Sequence, residues 1–179
     1  KITLTRKDCV VSWLPLYHDM GLMACMIVPA YWAIPIIQID PHEWISKPTK
    51  LFDQIESHNG TLIWLPNFAF ELIGSISDSF KKKWDLSSVR AFISCSEVCK
   101  PKAFEKFIEA TSNSLVTHST LQCCYAMAET VFAATQTKIG EQVNSKYINP
   151  LTLDFGNNIN EIDQSENGIR VLSSGKAIS

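Results

Sequence analysis

The sequence predicts an α/β fold built on a parallel or mostly parallel sheet with flanking helices. Two observations carry this. Short apolar runs of four to seven residues alternate with amphipathic segments of about ten, in the order strand, helix, strand, helix. Each apolar run is followed by polar or aromatic residues, as expected where strands end at the ligand-binding edge of such a sheet.

The elements follow in order. Cys9-Val10-Val11-Ser12-Trp13 reads as the first strand after a polar lead-in from Lys1 to Asp8. Met20 to Ile39 then runs for 20 residues without a charge, the length of a bilayer span. Pro29 and Pro35 interrupt it, so it divides into a helix from Gly21 to about Pro29, a turn, and a second strand over Ile34 to Ile39. No transmembrane segment is expected. Leu51, Phe52, Ile55 and His58 recur at helical spacing after Pro48, and Asn59-Gly60 supplies the stop. Thr61 to Leu65 is a third strand, and Asn67 to about Ser77 a helix. Val89 to Ser94 is a fourth strand, and Pro101 to Ala110, with Phe104, Phe107 and Ile108 on one face, a further helix. Leu121 to Ala126 leads into Met127-Ala128-Glu129-Thr130. From Lys138 to Gly168 apolar periodicity gives way to Asn, Asp, Gln and Gly, which reads as an irregular insertion. Ile169 to Leu172 is a last strand, followed by a turn at Ser173-Ser174-Gly175-Lys176.

Of the 179 residues 46% are hydrophobic and 19% charged, enough apolar material for a core and less charge than the roughly 25% of ordinary domains. A net charge of -2 argues against nucleic acid as the main partner. The six cysteines, at 9, 25, 95, 99, 123 and 124, form no CxxC, and His18, His42, His58 and His118 form no ligand cluster, so reduced core thiols are expected and zinc is not. No secretory leader opens the chain, which favours a cytoplasmic location. There is no G-x-x-x-x-G-K-[ST], no G-x-G-x-x-G, and no G-x-S-x-G around Ser96 or Ser119.

Two positions invite chemistry without fixing it. His18, beside Asp19 and after a strand, is either a packed histidine or a ligand-orienting one. Glu129 either caps a helix or holds a divalent cation beside phosphates.

The segments are more specific together than apart. Ser12-Trp13-Leu14-Pro15-Leu16-Tyr17-His18-Asp19-Met20-Gly21-Leu22 resembles the signature segment of the adenylate-forming (acyl-CoA synthetase-like, AMP-binding) superfamily, most closely its fatty acyl-AMP ligases. In the same order follow Pro66 to Leu72, then Cys95-Ser96-Glu97-Val98-Cys99 at the family's Gly-Ala-Glu-Pro-like loop. Tyr125-Ala126-Met127-Ala128-Glu129-Thr130 is similar to its Tyr-Gly-x-Ala-Glu motif. Leu172 to Lys176 is similar to the segment that leads to the ribose-binding aspartate.

The resemblance implies an ATP- and Mg2+-dependent ligase that converts a fatty acid to acyl-AMP, for transfer to an acyl carrier protein phosphopantetheine. It implies that Glu129 holds magnesium, which would offset phosphate charge as the carboxylate approaches. Cys95, Ser96, Glu97, Tyr125, Ala126, Met127 and Ala128 would line the nucleotide pocket, with the Tyr125 ring against adenine. His18 would orient the carboxylate where chain and adenylate meet. Met20, Gly21, Met23, Phe68 and Met127 would wall the acyl tunnel, their alternative being ordinary core.

Cys95 and Ala126 replace glycines of the pattern and Val98 a proline, while Ala128 agrees with the acyl-AMP ligase branch. The implied division is an α/β core over 1–137, an insertion over 138–168 and the start of a further strand over 169–179, all within one N-terminal domain. On the family pattern the phosphate loop precedes Lys1 and the ribose aspartate and catalytic lysine follow Ser179. The fragment alone is therefore expected to be inactive and to self-associate through apolar surface. A fatty acyl-CoA ligase or amino-acid-adenylating domain is the nearest alternative, and a noncatalytic lipid- or protein-binding module the next.

Overall fold

The computed structural model describes residues 2–77, 80, 82–164 and 167–178. Its centre is a seven-stranded sheet in the order β10-β6-β5-β4-β3-β1-β2. Five strands are parallel: β1 (Val10–Ser12), β2 (Ile36–Gln38), β3 (Leu62–Leu65), β4 (Ala91–Ser94) and β5 (Leu121–Ala126). Buried on both faces, β1, β3 and β4 are continuously apolar apart from Ser12 and Ser94, which end β1 and β4.

The expected α/β sheet with flanking helices is thus found, with shorter strands. It is extended by β6 (Ala133–Gln136), antiparallel to β5, and by β10 (Lys176–Ala177), antiparallel to β6. Neither is visible in the sequence, because Ala-Ala-Thr-Gln lacks a β-branched or aromatic run and a two-residue strand has no period. Gly175, at φ +90°, makes the turn into β10, where a Cβ would lie 2.1 Å from the Gln136 carbonyl carbon.

From β1 the chain runs outward to β2 and then crosses back to β3, so the strand order reverses between β1 and β3. Ligands of open α/β sheets bind at such a reversal, beyond the carboxyl ends of the strands. The β1–β2 crossover is a π-helical segment, Met20–Ile27, continued by α1 (Val28–Tyr31). Pro29 does not end this helix as expected. It occupies the first turn of α1, where a missing N–H costs little, and the helix runs on to Tyr31.

Next comes α2 (Pro41–Ser46), capped by Asp40, whose Oδ1 accepts from the His42 and Glu43 amides at 2.8 and 3.3 Å. The Asp-Pro signal for this short helix stands in the sequence beside a period too brief to register. α3 (Lys50–His58) stops at Asn59 in the left-handed conformation, and Gly60 follows it.

α4 (Asn67–Ser75) and α5 (Pro101–Ala110) complete the crossovers. Phe107 of α5 packs against Phe52, Phe70 and Phe92 with ring centroids 5.0 to 6.2 Å apart, joining three helices to β4 in one aromatic core. Within 138–168, β7 (Ser145–Ile148) and β8 (Glu161–Ile162) make a small antiparallel sheet with β9 (Ile169–Leu172), joined by irregular chain. β9 therefore does not join the large sheet. No helix of the described residues is long and apolar enough to cross a membrane.

Candidate active site

The carboxyl ends of β1, β3, β4 and β5 bring together the segments singled out in the sequence. After β1 the Ser12 hydroxyl accepts from the Leu14 amide at 3.1 Å and turns the chain outward through Pro15 to His18. The Met20 N–H has two acceptors in reach, Asp19 Oδ1 at 2.8 Å and His18 Nδ1 at 3.2 Å. His18 Nδ1 also lies 2.7 Å from Asp19 Oδ1, so the two side chains and the Met20 amide form one cluster. The His18 side chain itself is half exposed.

Gly21 is required here. A Cβ would stand 2.3 Å from the Pro15 carbonyl oxygen, so the helix start lies directly against the loop that carries His18. Met20 is buried and Met23 half-buried. After β3, the Phe68 ring stands edge-on with its centroid 6.0 Å from that of Trp13 and 6.2 Å from that of Trp44, which stack on each other with centroids 3.8 Å apart. The buried Asn67 accepts the Lys100 amide at 2.9 Å and thereby fixes the end of the 95–100 loop. In that loop Cys95 is buried, while Ser96 and Glu97 are exposed. Ser96 adopts φ +70° and donates to the Met20 sulfur at 3.6 Å, bridging the β4 and β1 loops.

After β5 the structure differs from the expected strand-to-helix junction. Ala128–Thr130 is one 3₁₀ turn in a hairpin that returns as β6, closed by Met127 N–H to Phe132 O at 2.9 Å. No helix is there for Glu129 to cap. Its exposed carboxylate stands at the hairpin tip, free of ion pairs and hydrogen bonds among the described residues. Val131, β-branched at φ +69°, holds the tip in a strained turn.

Two cavities flank this hairpin. One, of about 470 Å³, is lined by Ser96, Glu97, Val98, Cys99, Cys123, Cys124, Tyr125 and Ala126, and closed by β9 from Ile169 to Leu172 and Ser174. It gathers four of the expected nucleotide residues, with the half-exposed Tyr125 ring in its wall. Met127 adjoins it through the Tyr125 hydroxyl, 4.0 Å from its sulfur, while Cys95 lies beneath and Ala128 at the exposed tip. The β9 wall was missed because only its strand character is legible in the sequence.

The other cavity, of about 340 Å³, is apolar and involves Ala24, Val28, Trp64, Phe132, Ala133 and Gln136. None of Met20, Gly21, Met23, Phe68 and Met127 lines it. The sequence placed apolar space at the start of the helix, whereas the enclosed volume lies one to two turns further along it. A polar cavity of about 410 Å³ between Lys82, Trp84, Glu109 and Ser114 opens at the opposite edge of the sheet, where α4 and α5 end, and has no part in this site.

No group of three or more His, Cys, Asp or Glu among the described residues can by itself hold a metal. Glu129, a lone exposed carboxylate, could supply one oxygen ligand to a magnesium ion, which commonly takes one or two carboxylates and fills its remaining positions from water and phosphate. All six cysteines stand as free thiols in this structure, five of them buried.

The AMP-binding enzyme family profile matches residues 1–155. A probable long-chain-fatty-acid–AMP ligase of Mycobacterium tuberculosis, FadD30, is 34% identical over 137 residues, 76% of this chain and 23% of that protein. The 4-hydroxyphenylalkanoate adenylyltransferase of Mycobacterium marinum is 29% identical over 169 residues, 93% of this chain and 27% of its own length. The crystal structure of a fatty acyl-adenylate ligase from L. pneumophila superposes with a TM-score of 0.88 at 24% identity, covering 97% of this chain and 31% of that one. The chain thus spans about a quarter of the length of the curated relatives it matches. On the profile match, which covers most of its length, this chain belongs to the AMP-binding enzyme family.

Proposed function

We propose that the protein to which these residues belong activates a fatty acid with ATP: the acid's carboxylate attacks the α-phosphate, forming acyl-AMP and releasing pyrophosphate. The β5–β6 hairpin is the observation that carries this. It puts Tyr125 on the cavity of about 470 Å³, Phe132 and Ala133 on the apolar cavity, and Glu129 between them at its tip.

In this reading Tyr125 stacks on adenine, while Ser96, Glu97 and Ala126 shape its pocket and Cys95 supports them from below. Met127 and Ala128 carry the chain past the nucleotide to Glu129. The acyl chain enters the apolar space beyond Met20, Gly21 and Met23, with Phe68 and Met127 toward its mouth. His18 holds the acid's carboxylate through Nε2, oriented by Asp19. Glu129 is the residue that would hold magnesium, which, when bound, offsets phosphate charge. The acyl acceptor in this reading is the phosphopantetheine thiol of a carrier protein, and the setting is cytoplasmic.

Spanning only a quarter of their relatives' length, these 179 residues by themselves are inferred to form no adenylate. They are also inferred to self-associate through side chains such as Tyr31, Trp32 and Leu151, which are exposed by 85%, 56% and 82%.

Fatty-acid-dependent exchange of pyrophosphate into ATP, measured on the longer polypeptide, tests the reading. Glu129→Gln should lower the rate by about 10²-fold or more, the scale of losing a charge-stabilising group. An unaltered rate refutes the role. A second acceptor, free coenzyme A, is favoured by a 30% identical relative described as a putative fatty-acid–CoA ligase, and product analysis with coenzyme A or carrier protein separates the two.

A further inference from the structure

Four of the six cysteines meet at the carboxyl ends of β4 and β5. Ser94 lies opposite Cys123 in the parallel register, so Cys95 continues beside Cys124, and the loop beyond Cys95 lines one cavity with β5. Successive residues of a strand point to opposite faces, so Cys123 and Cys124 project to opposite sides of β5, and the hydrogen bonds between thiols join Cys95 with Cys124 and Cys99 with Cys123. The two pairs differ in access. Cys95 is fully buried and lies outside the cavity of about 470 Å³, whereas Cys99 is half-buried and lines that cavity together with Cys123 and Cys124.

We propose that Cys99 and Cys123 are a redox-modification site, at which a peroxide converts the two thiols reversibly into one disulfide tying the 95–100 loop to β5. The pair is suited to this. A hydrogen bond from the Cys123 thiol holds Cys99 below the ordinary thiol range, while the same contact, with burial, pushes Cys123 up. The more acidic sulfur is therefore the accessible one, and the resolving thiol touches it.

The Cys99 thiolate attacks one peroxide oxygen. The O–O bond breaks, hydroxide leaves and takes up a proton, and a sulfenic acid forms. The Cys123 sulfur then attacks the Cys99 sulfur, and its proton leaves with the displaced hydroxyl as water. Two thiols and one hydrogen peroxide give one disulfide and two waters, the sulfurs losing two electrons and the peroxide gaining them. The proposal is independent of the adenylation reading, because it is read as a covalent bond.

The test is hydrogen peroxide treatment of the 179-residue chain, alkylation of remaining thiols, and mass spectrometry after digestion with trypsin and a protease that cleaves after Glu97, which separates Cys95 from Cys99. The expected result is a loss of about 2 Da in a peptide pair joined through Cys99 and Cys123, reversed by dithiothreitol. In the untreated chain, iodoacetamide should label Cys99 at least about tenfold faster than Cys25, whose thiol burial pushes up to about 12. A bond through Cys95 and Cys124 instead, no bond at all, or labelling of Cys25 as fast as Cys99 overturns the proposal. Because the unsubstituted chain gives the answer, no variant has to fold for it to be decided.

Discussion

Replacing Asp8 by Asn removes the charge around which the amino-terminal edge of the large sheet is tied. The carboxylate is 2% exposed and accepts from Arg90 Nη1 at 2.6 and 2.7 Å, the Thr61 hydroxyl at 2.8 Å and the Thr5 amide at 2.8 Å. It thus joins the lead-in, the start of β3 and the approach to β4. Unpairing a buried ion pair costs about 3–5 kcal/mol, but the Arg90 side chain is 34% exposed and can turn to water. About 2–3 kcal/mol is therefore expected at pH 7, which for a chain of this size lowers Tm by about 4–12 °C.

The pH dependence has a definite sign. Burial by itself would raise the Asp8 pKa, but the Arg90 hydrogen bond foremost, with those from Thr5 and Thr61, outweighs it and holds the group below its ordinary value. A depressed carboxyl contributes stability that is fully present above the unfolded pKa, about 3.9, and is lost as pH falls through the native value. The difference between Asp8→Asn and the unsubstituted chain in urea melts should therefore be largest at pH 7 and shrink steadily below about pH 4. A difference below about 0.5 kcal/mol at pH 7, or one that stays constant or grows toward low pH, refutes the reasoning.

Two further substitutions probe the site's scaffold. Gly21→Ala puts a methyl 2.3 Å from the Pro15 carbonyl oxygen and should cost about 1–3 kcal/mol in a urea melt, the range for overpacking; a neutral result would show that the helix start is not held against the His18 loop. Val131→Gly should raise stability by about 1 kcal/mol, since it relieves a β-branched residue at φ +69° whose side chain is 63% exposed, while loosening the Glu129 tip; destabilisation in thermal melts would contradict the strain.

The crossover helices that pack on the sheet were legible for a simple reason. α3 and α5 each combine an apolar stripe with a start or stop signal, Asn59-Gly60 for one and Pro101 for the other, and both form close to where those signals stand. The short strands β1, β3 and β4 were legible as apolar runs because both their faces are buried. β6 and β10 were not, since their pairing is decided by a hairpin and by Gly175, not by their own composition.

By itself the sequence determined the fold class and the four segments that surround the site, because each depends on local pattern: period, punctuation and motif. Only the tertiary structure decided where those segments leave space. It enclosed the apolar volume by Ala24 and Val28 instead of Met20, set β9 as the far wall of the Tyr125 cavity, and put Glu129 on a hairpin instead of a helix. Cavities lie between elements distant in the chain, and a pattern read along one segment carries no information about which face another segment will cover.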